Sequence, residues 1–238
     1  MVEEKIFCIV AAAGRGVRLG KEFPKSFYPV EGRTLLERSI ESLARWGRIS
    51  TFVVMVPPGW EEKAKKLLSE EMPKVDLRIF AGGKTRQESV AIGLKEVDGA
   101  SLILIHDACR PFVSPSLIER VVSEASSSGA AVPVLQATDT LGRLRGEELE
   151  AILPRDRVVG IQTPQAFKSE VLKKAFLADE DLIRVATDES SLVLASDMPV
   201  KVVEGERWNI KVTVREDIDI ITSFLAGRKL NLPDTENP

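Results

Sequence analysis

Short runs rich in valine and isoleucine recur along the chain, at KIFCIV, TFVVMV, VDLRIF, SLILIH, GAAVPV and VKVVEG. Between them stand segments whose apolar residues are spaced by three and four, and this alternation constrains the fold more than any other feature. Several of the runs are apolar at successive positions, which suits strands covered on both faces in a mostly parallel sheet. The intervening TLLERSIESLARW, WEEKAKKLLSEE, TRQESVAIGLKEV and SPSLIERVVSEASS read as amphipathic helices, the last preceded by residues suited to capping. The expectation is one α/β domain over residues 1–228, its sheet covered by helices.

Residues 136–162 break this rhythm. QATDTLGRLRGEELEAILPRDRVVGIQ alternates charged turns with short extended pieces and has no long helical pattern, so it is expected to form an arm. Beyond it come SEVLKKAFLA, a helix expected to begin near Thr187, the VKVVEG strand, and REDIDIITSFLAG as a closing helix. Residues 229–238 are polar and contain proline, and are expected to fray.

Bulk properties exclude several classes. With 44% hydrophobic and 29% charged residues, the composition is that of a soluble globular protein. No apolar stretch approaches the roughly 18 residues that span a bilayer. The opening MVEEKIFCIV has two glutamates ahead of an apolar run that leads into glycines, so it reads as a first strand rather than a secretion signal, and the cytoplasm is the expected location. A net charge of −3 argues against a protein that coats nucleic acid, while leaving room for a local basic pocket that collects a phosphorylated small molecule. Cys8 and Cys109 lack partners at metal-ligand spacing and are read as buried thiols.

The chemistry begins at AAAGRGVRLGKEFPK. Gly14 and Gly16 start a G-x-G pattern, but Leu19 stands where a dinucleotide-binding loop needs its last glycine. Gly20 and Lys21 resemble the end of a P-loop, yet Glu22 replaces the magnesium-binding hydroxyl and Arg15 the first glycine. What remains is an amide-rich turn carrying Arg18 and Lys25, both able to meet triphosphate oxygens. A second glycine pair, Gly82 and Gly83 in AGGKTRQESV, ends a strand, with Arg86 and Ser89 three apart on the next helix. A nucleobase or ribose contact is expected there, because loops at the carboxyl ends of parallel strands line the crevice; the alternative is a tight turn with Arg86 on a solvated face. In LILIHDACRPF a very apolar strand runs into His106, Asp107 and Arg110. An ionised carboxylate at that position needs compensation, for which magnesium or a basic group on the substrate side is expected. His106 is the lone histidine, and with neither nucleophile motif nor triad order beside it, it is read as packed.

AAAGRGVRLG with FPK, AGGKTRQESV, HDACRPF, the DT at Asp139 and Thr140, QTPQAF, TDES and NIKVT together resemble, over roughly residues 5–226, the 2-C-methyl-D-erythritol 4-phosphate cytidylyltransferase family. The first motif alone is common to many sugar-nucleotide pyrophosphorylases; the combination is what narrows the choice. The resemblance implies a Rossmann-like sheet of the nucleotidyltransferase type with a projecting β-arm. It also implies transfer of a cytidylyl group from CTP to 2-C-methyl-D-erythritol 4-phosphate, with release of pyrophosphate, in non-mevalonate isoprenoid biosynthesis. Magnesium, or another divalent cation, and a homodimer joined through the arm are implied as well.

Residue by residue, the resemblance assigns Arg18, Lys25 and Lys211 to catalysis, and Ala12, Ala13, Gly14, Gly16, Gly83, Lys84 and Ser89 to the nucleotide. Asp107 is assigned to positioning metal or substrates, and Arg110, Thr140, Arg155 and Thr187 to the acceptor, with Arg157 as an alternative to Arg155. Lys84 departs from the family, where an acidic residue often stands, and TDES departs from the common TDEA. The nearest competing activity is cytidylyl transfer to another polyol phosphate such as ribitol 5-phosphate. A different class is a nucleotide-binding scaffold without catalysis, which would have no need of Lys25, Asp107 and Lys211 together.

Overall fold

The computed structural model describes residues 4–14, 24–72, 75–177, 183 and 185–227. In chain order the first half contains β1 (Ile6–Ala11), β2 (Pro29–Val30), β3 (Arg33–Thr34), α1 (Leu35–Ala44), β4 (Ile49–Val56), α2 (Glu61–Glu71), β5 (Leu77–Ala81), α3 (Arg86–Gly93) and β6 (Leu102–Asp107). There follow α4 (Pro115–Ser128), β7 (Ala130–Gln136), β8 (Leu141–Arg145), β9 (Glu148–Leu153), β10 (Val159–Ile161), β11 (Gln165–Lys168), α5 (Ser169–Leu177), α6 (Glu189–Ala195), β12 (Lys201–Glu204) and α7 (Arg215–Gly227).

The central sheet runs β10-β7-β11-β6-β1-β4-β5, with β12 paired to β7. The pairs β6-β1, β1-β4, β4-β5 and β7-β12 are parallel, and those made by β10 and β11 are antiparallel. This is the mostly parallel, helix-covered sheet expected from the alternating pattern. Along β1, Ile6, Cys8 and Val10 enter one core and Phe7 and Ile9 the other; β4 and β6 divide their side chains in the same way. Strands whose two faces are both dry must be apolar at every position, which is why these runs show no polar alternation. One core lies against α1, α2 and α4, the other against α3, α5 and α6. A third cluster joins Leu35, Phe112, Val212, Ile218 and Ile221, seating α7 beside the segment that leaves β6.

Local signals set the helix starts. The Thr34 hydroxyl accepts the Glu37 amide at 3.2 Å while the Glu37 carboxylate accepts the Thr34 amide at 2.7 Å, a reciprocal cap. Ser114 caps α4, which has proline at its first turn and ends at Gly129, whose φ of 96° suits glycine. Two α1 hydroxyls, of Ser39 and Ser42, donate to the carbonyls of Arg110 and Pro111 at 3.1 and 2.7 Å, fixing the turn after β6.

Residues 136–162 divide in two. β8 and β9 form their own two-stranded sheet, while β10 returns to the central sheet by pairing Val159–Ile161 with Val134–Gln136. β11 also joins the sheet, antiparallel between β6 and β7, although its four residues carry no periodic signal. The helix expected near Thr187 begins at Glu189, capped by Asp188. The segment 229–238 lies outside the described residues. Among the described residues no helix is long and apolar enough to cross a membrane.

Candidate active site

The carboxyl ends of β1, β4, β5 and β6 lie together, with Ala11 in register with both Met55 and Asp107, and Val56 with Ala81. Their exit loops are held to neighbouring strands: Ala12 N donates to Met55 O at 2.9 Å, Gly82 N to Val56 O at 2.7 Å and Ala108 N to Ala11 O at 3.1 Å. These loops line a cavity of about 680 Å³, large enough for a nucleotide-sized ligand. Ala12, Ala13, Gly14, Lys25 and Ser26 contribute from the first loop, Gly82 to Arg86 with Glu88 and Ser89 from the second, Asp107 and Cys109 from the third, and Lys211 and Thr213 from the segment before α7. Lys25 begins a short 3-10 turn anchored by Ser26, whose hydroxyl donates to Ala12 O at 2.7 Å.

The second loop requires its glycines. A Cβ on Gly82 would stand 2.5 Å from the Ala13 Cβ, and one on Gly83 2.4 Å from the Glu88 Cβ. The Ser89 hydroxyl accepts the Gly83 amide at 3.0 Å and donates to Thr85 O at 2.8 Å, and the Glu88 carboxylate accepts the Lys84 amide at 2.7 Å. Ser89 thus shapes the loop that faces the cavity.

Charge is concentrated at Asp107. Its Oδ2 lies 2.7 Å from Lys211 Nζ, its Oδ1 accepts Arg86 Nε at 2.9 Å, and Arg110 Nε is 3.9 Å from Oδ2. Burial opposes ionisation of this carboxylate, but the Arg86 and Lys211 cations outweigh it and hold its pKa far below the ordinary range. Sequence reasoning expected magnesium or a basic group on the substrate side; in the structure Asp107 is paired with Arg86 and Lys211, two basic side chains of the cavity lining. Arg86 is not on a solvated face: it lines the cavity with its side chain 24% exposed. Its Nη1 donates to Glu189 Oε1 at 2.6 Å and to Gln87 Oε1 at 3.0 Å. Burial works against the guanidinium charge, yet Glu189 and Asp107 keep Arg86 firmly protonated.

Glu189 was not singled out from sequence. It is fully buried, and burial raises its pKa. The available signal was its place in TDES, directly after a capping aspartate, but its partner lies 103 positions away. Gln162 and Asn209 also emerge only in three dimensions: Gln162 Nε2 donates to Glu206 O at 2.9 Å, Asn209 Nδ2 to Thr163 O at 2.7 Å, and Val212 N to Cys109 O at 2.8 Å. These bonds carry the Lys211 segment to the end of β6.

Of the residues expected at the site, Ala12, Ala13, Gly14, Lys25, Gly83, Lys84, Ser89, Asp107 and Lys211 meet around this one cavity. Arg110 is buried beside Asp107, donates to Asn209 O at 2.7 Å, and is not in the cavity lining. Thr140, Arg155 and Thr187 are exposed and also outside the lining; Arg155 Nη1 donates to Thr138 O at 3.4 Å. Gly16 and Arg18 lie outside the described residues. His106 is packed, with Nε2 3.1 Å from Arg110 O and Nδ1 3.2 Å from the Thr163 hydroxyl, and burial lowers its pKa to about 4. Cys8 is a buried thiol as expected, whereas Cys109 borders the cavity; burial raises its pKa to about 11, so it is a thiol rather than a thiolate at neutral pH.

Among the described residues no three His, Cys, Asp or Glu side chains group as a metal site. The cavity carboxylates are Asp107, engaged at both oxygens, and Glu88, engaged by Lys84 N. This donor set is no preformed metal cage; it would suit only a magnesium ion that arrives with a triphosphate and takes most of its ligands from phosphate and water.

The family model for 2-C-methyl-D-erythritol 4-phosphate cytidylyltransferase matches residues 6–226. Among curated relatives, the cytidylyltransferase of that name from Alkaliphilus metalliredigens is 34% identical over 232 residues, covering 96% of each chain. Its counterpart from Thermotoga neapolitana is 36% identical over 214 residues, 89% of this chain and 93% of the relative. The crystal structure of 4-diphosphocytidyl-2C-methyl-D-erythritol synthase from Anaerococcus prevotii superposes with a TM-score of 0.80 at 31% identity, covering 94% of this chain and 99% of that one. The Thermus thermophilus cytidylyltransferase structure gives a TM-score of 0.76 at 36% identity, covering 93% and 98%.

Proposed function

The chain belongs to the 2-C-methyl-D-erythritol 4-phosphate cytidylyltransferase family and is a cytidylyltransferase, and on that premise we propose that the cavity at the carboxyl end of the sheet is where CTP meets the acceptor. The reaction is transfer of the cytidylyl group of CTP to 2-C-methyl-D-erythritol 4-phosphate, giving 4-diphosphocytidyl-2-C-methyl-D-erythritol and pyrophosphate. An acceptor phosphate oxygen attacks the α-phosphorus in line, a new P–O bond forms there, and the bond to the β-phosphate oxygen breaks with its electron pair leaving on pyrophosphate. A phosphate monoester has a second pKa near 6, so the nucleophile is already ionised at neutral pH and needs no base. The buried, neutral His106 is consistent with that.

The observation that carries the assignment is the convergence of Lys25 and the Asp107-held Lys211 on a cavity whose other loop presents Gly83, Lys84 and Ser89. The glycine loop takes the cytidine end. Lys25 and Lys211, with Arg18 assigned to the same task by the family resemblance alone, neutralise the triphosphate and the incoming phosphate, and so stabilise the charge that develops at the α-phosphorus and the leaving group. Asp107 fixes Lys211 and is the residue that would ligate magnesium. When bound, that ion supplies further neutralisation of the triphosphate.

Acceptor recognition is completed by a second copy of the chain. Thr140 and Arg155 stand outside the cavity lining, and the β8-β9 hairpin between them exposes Leu144, Leu149 and Ile152, at 67%, 62% and 59%. Apolar side chains that exposed on a two-stranded ribbon suit a covered interface. A homodimer through this arm would bring Arg155 of one chain to the acceptor site of the other. The assay for the whole reading is an acceptor panel with purified protein, CTP and magnesium, followed by pyrophosphate release and product mass. Turnover with 2-C-methyl-D-erythritol 4-phosphate well above that with ribitol 5-phosphate supports it; equal turnover, or CTP binding without pyrophosphate release, contradicts it.

A further inference from the structure

Glu189 reaches neither the cavity nor any group assigned to substrate, yet it ends a chain of alternating charges that runs to the cavity. Its Oε1 accepts Arg86 Nη1 at 2.6 Å, Arg86 Nε donates to Asp107 Oδ1 at 2.9 Å, and Asp107 Oδ2 lies 2.7 Å from Lys211 Nζ. Along it the Lys211 side chain is 45% exposed, Asp107 9%, Arg86 24% and Glu189 0%, so the solvent-facing end is Lys211 and the dry end Glu189. We propose that Glu189 is a positioning residue for cytidylyl transfer, acting through Arg86 and Asp107 to set where the Lys211 ammonium stands.

Two ordinary roles for a buried glutamate do not account for it. One is capping its own helix, but two first-turn amides already have other acceptors: Ser190 N donates to Gln165 Oε1 at 3.1 Å and Ser191 N to the Asp188 carboxylate at 3.0 Å. The other is stabilising the fold. A buried ion pair recovers its desolvation penalty only when the remaining lone pairs are satisfied. Glu189 Oε2 is buried without a hydrogen-bond partner, and so is Gln87 Nε2. A carboxylate held by one guanidinium is a poor stabiliser, but it is well suited to orienting that guanidinium. Arg86 is planar with its donors in a fixed fork, so carboxylates on Nη1 and Nε determine the plane in which it meets Asp107. Glu189 also draws part of the Arg86 charge. Without it, the Asp107 carboxylate would face an unshared guanidinium and be pulled from Lys211, whose flexible stem has no other ion-pair partner among the described residues.

This inference rests on the proposed assignment of Lys211 to the phosphates, and the test separates the two. Rates are measured per CTP-binding site for Glu189→Gln, Lys211→Ala and the double variant. Glu189→Gln is expected to lower kcat about tenfold, the lower range for one lost charge-assisted hydrogen bond, with KM for CTP within about twofold because the glycine loop is untouched. In the Lys211→Ala background the same substitution is expected to change kcat by less than about twofold. An equal loss in both backgrounds, or no loss in wild type, overturns the positioning role. Near wild-type activity of Lys211→Ala overturns the phosphate assignment, and this inference with it. Arg86→Lys keeps the charge but removes the fork; it is expected to reproduce the loss of kcat and to be similarly masked by Lys211→Ala. Should Glu189→Gln not fold, full activity of folded Arg86→Lys overturns the proposal.

Discussion

Replacing Asp107 by asparagine preserves volume and deletes the charge on which three cations converge. The amide offers one acceptor oxygen instead of two and carries no charge, so one of the Arg86 and Lys211 contacts is lost and the other is weakened to a bond with a neutral acceptor. The Arg86 contact joins side chains 24% and 9% exposed, and loss of a charge-assisted hydrogen bond in such surroundings costs about 2–3 kcal/mol. The Lys211 contact, on a side chain 45% exposed, is screened by water and adds less than about 1 kcal/mol. A total near 3 kcal/mol corresponds to a fall in Tm of roughly 6–12 °C for a chain of this size. The pH dependence has a definite sign. Because the folded-state pKa of Asp107 is depressed, the carboxylate contributes stability above its unfolded pKa of about 3.9 and loses that contribution as pH falls toward the folded value. The difference between wild type and Asp107→Asn is therefore expected to be full at pH 7 and to shrink below about pH 4. Urea unfolding of both proteins from pH 7 down to pH 3.5 measures it. A difference that grows on acidification, or an unchanged Tm together with unchanged kcat/KM, would refute the ion-pair account.

Lys25→Ala is expected to lower kcat/KM at least about tenfold in a folded protein, since about 1.4 kcal/mol of lost transition-state stabilisation gives that factor; kinetics beside a melting curve check it, and near wild-type kcat/KM argues against a phosphate contact. Gly83→Ala places a methyl 2.4 Å from the Glu88 Cβ, so the loop must shift and KM for CTP should rise several-fold; an unchanged KM would place the nucleotide elsewhere. Mixing Arg155→Ala and Lys211→Ala chains, each strongly impaired but with measurable residual turnover, under subunit exchange should raise activity toward about a quarter of wild type per chain, because about half the dimers are mixed and each holds one intact composite site. No recovery in verified mixed dimers means the arm serves its own chain or that Arg157 carries the role, which repetition with Arg157→Ala distinguishes.

The sheet was legible wherever strands are buried on both faces, because β1, β4 and β6 then read as unbroken apolar runs of a length that suits strands. β10 and β11 were not, since three- and four-residue segments carry no period; this is why 136–162 read as one arm although β10 returns to the sheet. Glycines at strand ends and a carboxylate at the tip of an apolar strand exposed much of the cavity, for each is expensive unless a close approach or a charge partner explains it. The partners themselves were hidden. Nothing local distinguishes Arg110, which turns inward to Asn209 O, from Arg86, which borders the cavity, and the bond from Arg86 to Glu189 is created only when α3 and the Glu189–Ala195 helix meet. Which carboxylate neutralises which cation is a property of the packed sheet.

On the proposed assignment one cavity holds the cytidine at the Gly83–Ser89 loop and the triphosphate between Lys25 and Lys211. A crystal structure with CTP and magnesium tests it most directly. The cytosine is expected against the Gly83 backbone and the α-phosphate within hydrogen-bond reach of the Lys211 ammonium. Nucleotide bound outside the cavity, or inside it with the triphosphate directed away from both lysines, would contradict it.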